Sequence, residues 1–110
     1  MQDDPITLRQ LQALLAISES GSIGAAARKL GVTQPVLSRI VAQLERSAGV
    51  SLVSRGARGT DLTPSGASLV SRARTISAEL KRCQEDLQSM RGNTGGLISI
   101  AASPVPMLSL

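Results

Sequence analysis

Apolar positions recur at helical spacing along the first half of the chain and tighten to a strict heptad in the second. Leu8, Leu11, Leu14, Leu15 and Ile17 predict an amphipathic first helix. Thr7-Leu8-Arg9-Gln10 has the form of a capping box at its start, and Gly21 ends it. Ser22 then caps a second helix, which runs through Ala25-Ala26-Ala27 to Leu30 and stops at Gly31. Thr33 caps a third helix, with Pro35 in its first turn, where a missing N–H costs nothing. Its inward stripe is Leu37, Ile40, Val41, Leu44 and Ala48; Gln34, Ser38, Arg39, Gln43 and Arg46 lie away from that stripe.

After Gly49 the pattern changes. Residues 51–55 and 60–62 read as two short strands around the turn Gly56-Ala57-Arg58-Gly59, a hairpin placed as a wing directly after the third helix. Thr63-Pro64 restarts a helix. There Leu69, Ala73, Ile76, Leu80, Cys83, Leu87 and Met90 are spaced alternately four and three apart, which is a coiled-coil seam. At 1.5 Å per residue such a helix extends roughly 40 Å, too long for so small a domain to cover. Pairing with the same helix of another chain resolves this; the alternative is a helix folded back on its own domain. Arg91-Gly92-Asn93-Thr94-Gly95-Gly96 reads as a flexible linker, and Leu97-Ile98-Ser99-Ile100-Ala101 as the first strand of a further domain that the chain does not contain. The expected organisation is a three-helix and wing domain over residues 1–62, a dimerising linker helix over 63–91, and a hinge with the first strand of a truncated domain over 92–110.

Composition narrows the function classes. The 110 residues include no Phe, Tyr, Trp or His and one Cys. The core is therefore aliphatic, and base stacking on aromatic rings, the usual device for single-stranded nucleic acid, is excluded. No imidazole serves as general base or metal ligand, and Cys83 alone makes neither a zinc site nor an internal disulfide. Cys83 reads as a small buried apolar residue of the seam. The net charge of +4 is unevenly spread. Residues 22–74 carry Arg28, Lys29, Arg39, Arg46, Arg55, Arg58, Arg72 and Arg74 against Glu45 and Asp61, which suits a polyanionic partner. An acidic N-terminus and the lack of a long apolar run lead us to expect a cytoplasmic, nucleoid-associated protein with no membrane contact.

Residues 22–45 read as two helices joined by a tight turn, the arrangement that sets one helix end against the edges of DNA bases. Together with Ala25-Ala26-Ala27, Thr33-Gln34-Pro35-Val36-Leu37-Ser38-Arg39, Leu44-Glu45, Arg55-Gly56-Ala57-Arg58-Gly59 and Leu62-Thr63-Pro64-Ser65-Gly66, it strongly resembles the N-terminal part of LysR-type transcriptional regulators over about residues 6–100. Each motif alone is weak; the ordered set is specific. The resemblance implies a mostly α fold, a winged helix-turn-helix of three helices and a two-stranded wing, followed by a long coiled-coil linker helix that pairs antiparallel in a dimer. It also implies an effector-binding domain absent from this chain, its small-molecule co-inducer and RNA polymerase as a partner; members of the family are often tetramers at full length, and the sequence leaves dimer or tetramer open; no cofactor is expected in the residues present. The family usually carries aromatics in the first helix and before the wing, where this chain has Leu14 or Leu15 and Val53, and its cap before Gln-Pro is commonly Ser, here Thr33.

The same resemblance sends the third helix into the major groove of double-stranded promoter DNA. Gln34 suits adenine N6 and N7, and Arg39 suits guanine O6 and N7. Arg39 also fits a phosphate contact or an ion pair with Glu45. Pro35 and Val36 offer apolar surface to a thymine methyl, and Ser38 reaches a base edge or a phosphate. Pro35 serves helix initiation as well. Arg55 and Arg58 flank the wing turn, where they clamp phosphate or enter a minor groove, or else are solvated. Ser22 and Thr63 stand at helix N-termini, which attract phosphates, although capping alone accounts for both. The competing class is a protein-interaction module, a coiled-coil dimer whose winged helix binds protein. An enzyme lacks support, because no nucleophile and base are paired in the sequence.

Overall fold

A computed structural model describes residues 5–56 and 59–96. Its elements are α1 (Leu8–Ser20), α2 (Ile23–Leu30), α3 (Gln34–Ala48), β1 (Val53–Gly56), β2 (Gly59–Leu62) and α4 (Pro64–Gly96). The fold is a winged helix-turn-helix with a long C-terminal helix, as the hydrophobic pattern predicts. The caps explain the boundaries. Thr7 Oγ1 accepts from Gln10 N–H at 3.1 Å while Gln10 Oε1 accepts from Thr7 N–H at 2.9 Å, so two orphan donors of α1 are satisfied reciprocally. Ser22 Oγ accepts from Ala25 N–H at 3.1 Å and Thr33 Oγ1 from Val36 N–H at 3.3 Å. Gly31 and Gly49 take left-handed φ values of 71° and 75°, which side chains disfavour, and so turn the chain out of α2 and α3.

The core is two aliphatic clusters. Ala13, Ala16 and Ile17 of α1 meet Ala26 and Ala27 of α2 and Leu37 and Val41 of α3. The alanines bring the helix axes close, and this replaces the bulk that aromatic rings would supply. Leu14 and Leu44 meet Leu52 and Val70 in the second cluster, with Val53 packed against both. Each buried leucine contributes about 1.5–3 kcal/mol relative to an exposed one. The stripe of α3 differs from expectation at Ile40, which is half-buried, and at Ala48, on the last turn, which is exposed.

Three other expectations change. The first strand begins at Val53, not at residue 51, because Leu52 N–H and Val53 N–H both donate to the Glu45 carboxylate, at 2.8 and 3.2 Å, and the Leu52 carbonyl accepts from Thr63 N–H at 3.0 Å. Residues 51 and 52 thus spend their polar groups on α3 and α4 before the antiparallel ladder Val53 to Leu62, Ser54 to Asp61, Arg55 to Thr60 begins. The compact first unit extends to Thr75, so the boundary expected at Leu62 falls inside it. Val70 and Ala73, on the first turns of α4, are buried in that unit, and Leu69 packs on the second cluster. Ala73 is therefore occupied by its own domain and is not a free seam position. Finally, α4 continues through Gly96, across the residues read as a linker. One glycine costs a helix about 1 kcal/mol, too little to stop one already propagated over many turns. The strand expected at residues 97–101 lies outside the described residues.

The first turn of α4 is seated closely. Gly66 is buried, and a Cβ there would collide with the Leu52 carbonyl oxygen. The exposed pair Lys29–Glu19, 2.7 Å apart, links the ends of α1 and α2. The Lys29 hydrogen bond, aided by the charges of Lys29 and Arg74, holds the Glu19 carboxyl below its ordinary range. Its small contribution to stability is present above that range and is lost as pH falls through it.

Gly66→Ala is expected to lower the unfolding free energy by about 1–3 kcal/mol, since a backbone carbonyl must move to admit the methyl. Gly92→Ala, where nothing lies within 4 Å, is expected to leave stability unchanged or raise it. Urea denaturation of both variants checks the contrast; equal effects would contradict this seating of α4.

Candidate nucleic-acid interface

The buried face of α3 fixes what its other face can do. With Leu37, Val41 and Leu44 turned inward, Gln34, Pro35, Arg39, Gln43 and Arg46 are exposed, and Val36 and Ser38 are half-buried at the margin. The Thr33 cap and Pro35 hold the first turn in helical form, so the exposed side chains project from a rigid start. The donors and acceptor of the Gln34 amide and the donors of the Arg39 guanidinium fit base edges, and the surface around them is cationic.

The structure joins the wing to this helix. The Arg55 guanidinium donates through Nη2 to Ser38 Oγ at 3.3 Å, so two candidates separated by 17 residues in sequence lie side by side. That bond exists because β1 leaves α3 at a fixed place. The Glu45 carboxylate sets it by accepting from Leu52 and Val53 N–H and from Ser51 Oγ at 3.5 Å. Glu45 is thereby engaged with the wing, and no ion pair links it to Arg39 among the described residues. Arg58 lies outside the described residues.

Ser22 and Thr63 are engaged in structure. Ser22 Oγ caps α2. Thr63 Oγ1 accepts from Gly66 N–H at 3.0 Å and donates to the Ser51 carbonyl at 2.7 Å, tying α4 to the entry of the wing. Of the remaining cations, Lys29 pairs with Glu19, while Arg28, Arg72 and Arg74 are exposed and add positive field. The expected seam divides: Ala73 is buried and Leu69 half-buried in the first unit, Leu80 is half-buried, and Ile76, Cys83, Leu87 and Met90 are exposed. Cys83 is exposed on α4 of the single chain.

Sequence reasoning missed two residues that shape the interface. Glu45 looks like one charge of an amphipathic helix, and its role depends on a tertiary contact with residues 51–53. Gly24, inside α2, lies under the Gln34 side chain, with Gln34 Nε2 3.1 Å from where a Cβ would be. No signal in a single sequence separates such a glycine from an ordinary one. Among the described residues no cluster of three His, Cys, Asp or Glu side chains is arranged to hold a metal ion, and no helix is long and apolar enough to cross a membrane.

Comparison with known proteins agrees with this geometry. Residues 8–67 match the family described as bacterial regulatory helix-turn-helix protein, lysR family. The chain is 36% identical over 105 residues to the HTH-type transcriptional regulator GbpR of Rhizobium radiobacter, covering 94% of this chain and 35% of that protein. It is 42% identical over 88 residues to the HTH-type transcriptional regulator TdcA of Escherichia coli K12, covering 77% of this chain and 28% of that one. The chain thus spans about a third of the length of these curated relatives. In structure it is similar to the BenM DNA-binding domain in complex with catB site 1 DNA, at a TM-score of 0.71 and 31% identity, over 76% of this chain and 94% of that one. It is likewise similar to the CbnR DNA-binding domain in its DNA complex, at a TM-score of 0.68 and 34% identity, over 76% of this chain and 97% of that one. With its winged helix-turn-helix, the cationic outer face of α3 and a family match across the whole of that unit, the chain belongs to the lysR family of bacterial regulatory helix-turn-helix proteins and carries its DNA-binding domain.

Proposed function

We propose that this chain is the DNA-reading and dimerising part of a transcription regulator that acts on an inverted-repeat promoter site in the cytoplasm, at the nucleoid. The observation that carries the reading is the exposed pair Gln34 and Arg39 on a rigid helix start, with Arg55 of the wing bonded to Ser38 on the same face. In this reading α3 enters the major groove. Gln34 takes adenine, Arg39 takes guanine, and Pro35 and Val36 meet a thymine methyl. Arg55 and Arg58 hold phosphates or a narrow minor groove, and the N-termini capped by Ser22 and Thr63 face the backbone. The DNA complexes of the similar BenM and CbnR domains support this placement.

The exposed part of the heptad, Ile76, Cys83, Leu87 and Met90 with Leu80 between them, supports pairing of α4 with its copy in a second chain. Such a pair sets the spacing of two reading helices and so matches a two-fold site. The span of the relatives beyond this chain accommodates a C-terminal domain that binds a small-molecule effector, alters contacts with RNA polymerase and supports tetramers.

Replacing both Gln34 and Arg39 by Ala is expected to abolish site-specific gel shifts and leave self-association intact, each lost base contact costing about 1–3 kcal/mol. Unchanged specific binding would instead favour a protein-binding module. Leu87→Lys is expected to weaken self-association by at least about tenfold, because two apolar contacts are replaced by like charges. Sedimentation equilibrium measures this, and an unaltered dimer constant would remove α4 from the interface.

A further inference from the structure

Gly24 occupies a position where glycine is not required by the backbone. It lies inside α2 and is not among the residues with positive φ, so alanine would suit the helix better. What distinguishes it is the space above it. A Cβ there would stand 3.1 Å from Gln34 Nε2, 3.8 Å from Gln34 Cδ and 3.8 Å from Arg28 Nη1. The first distance is shorter than ordinary carbon–nitrogen contact, so a Cβ at residue 24 requires the Gln34 amide to give way by a few tenths of an ångström. Gln34 is the first residue of α3 and is exposed. An exposed glutamine with three rotatable bonds otherwise spreads over many rotamers, and that freedom is lost on binding.

We propose that Gly24 is a positioning residue for sequence reading: its missing side chain is the seat on which the Gln34 amide rests, with the Arg28 guanidinium bordering the same space. The seat presets the Gln34 amide before DNA arrives, so less conformational freedom is lost on contact with a base. α2 thereby acts on base selection without touching a base. The inference rests on the reading of Gln34 as a base-contacting residue.

A double-mutant cycle on the full chain tests it. The probes are the duplex enriched from a randomised library by the unaltered chain and an unrelated duplex of equal length, with affinities read by fluorescence anisotropy. Gln34→Ala is expected to weaken binding to the enriched duplex by about tenfold. Gly24→Ala is expected to weaken it several-fold, to leave binding to the unrelated duplex unchanged, and to keep or raise the melting temperature. In the Gln34→Ala background, Gly24→Ala is expected to cost less than about twofold. The inference is overturned, with Gln34 still a reader, if Gly24→Ala leaves affinity for the enriched duplex intact, costs as much in both backgrounds, or lowers the melting temperature. If Gln34→Ala itself has no effect, the base-reading role of Gln34 and this inference fall together.

Discussion

A single carboxylate organises the surface shared by α3 and the wing. Glu45 stands on the last turn of α3 and accepts the N–H groups of Leu52 and Val53, at the point where the chain turns from helix into the wing. Buried amides left without an acceptor are costly, and a charged acceptor makes these bonds stronger than ordinary ones. Once residues 52 and 53 are held against α3, the rest follows in order. The Leu52 side chain enters the second cluster, and its carbonyl takes the Thr63 N–H. Gly66 admits α4 against that carbonyl, and the ladder carries Arg55 to Ser38. The strands of the wing are thereby joined to α3.

Packing supports that junction with small means. The domain has no aromatic ring, and its core is built from leucines, valines and a group of alanines at helix crossings. Close approach compensates for small side chains, because dispersion and burial both depend on filling the space between elements. The cost is tight tolerance, which shows at Gly66 and again at Gly24. At the first, absence of a side chain lets two elements meet; at the second, it leaves room for a polar side chain at the surface.

Much of the architecture was legible from local chemistry. Thr7, Ser22 and Thr33 each cap the helix they precede, because capping is decided within four residues, and the period of 3.6 marks the inward faces of α1 and α3. The errors lie where distant contacts decide. Val70 and Ala73 belong to the domain core, although the heptad that runs through Ala73 reads equally as a dimer seam. Residues 51 and 52 alternate like a strand yet give their hydrogen bonds to Glu45 and Thr63. At the interface, the residue types on the outer face of α3 are evident from the period. The bond between Arg55 and Ser38 and the seat at Gly24 arise from folding and leave no periodic trace.

The outer face of α3 is proposed to read base edges in the major groove, in two copies. Dimethyl sulfate interference on the enriched duplex tests it directly, since N7 methylation of guanine blocks the major groove. Methylated guanines are expected to interfere at two clusters related by two-fold symmetry and separated by a whole number of helical turns. Specific binding that is indifferent to guanine N7 methylation throughout the site would contradict it.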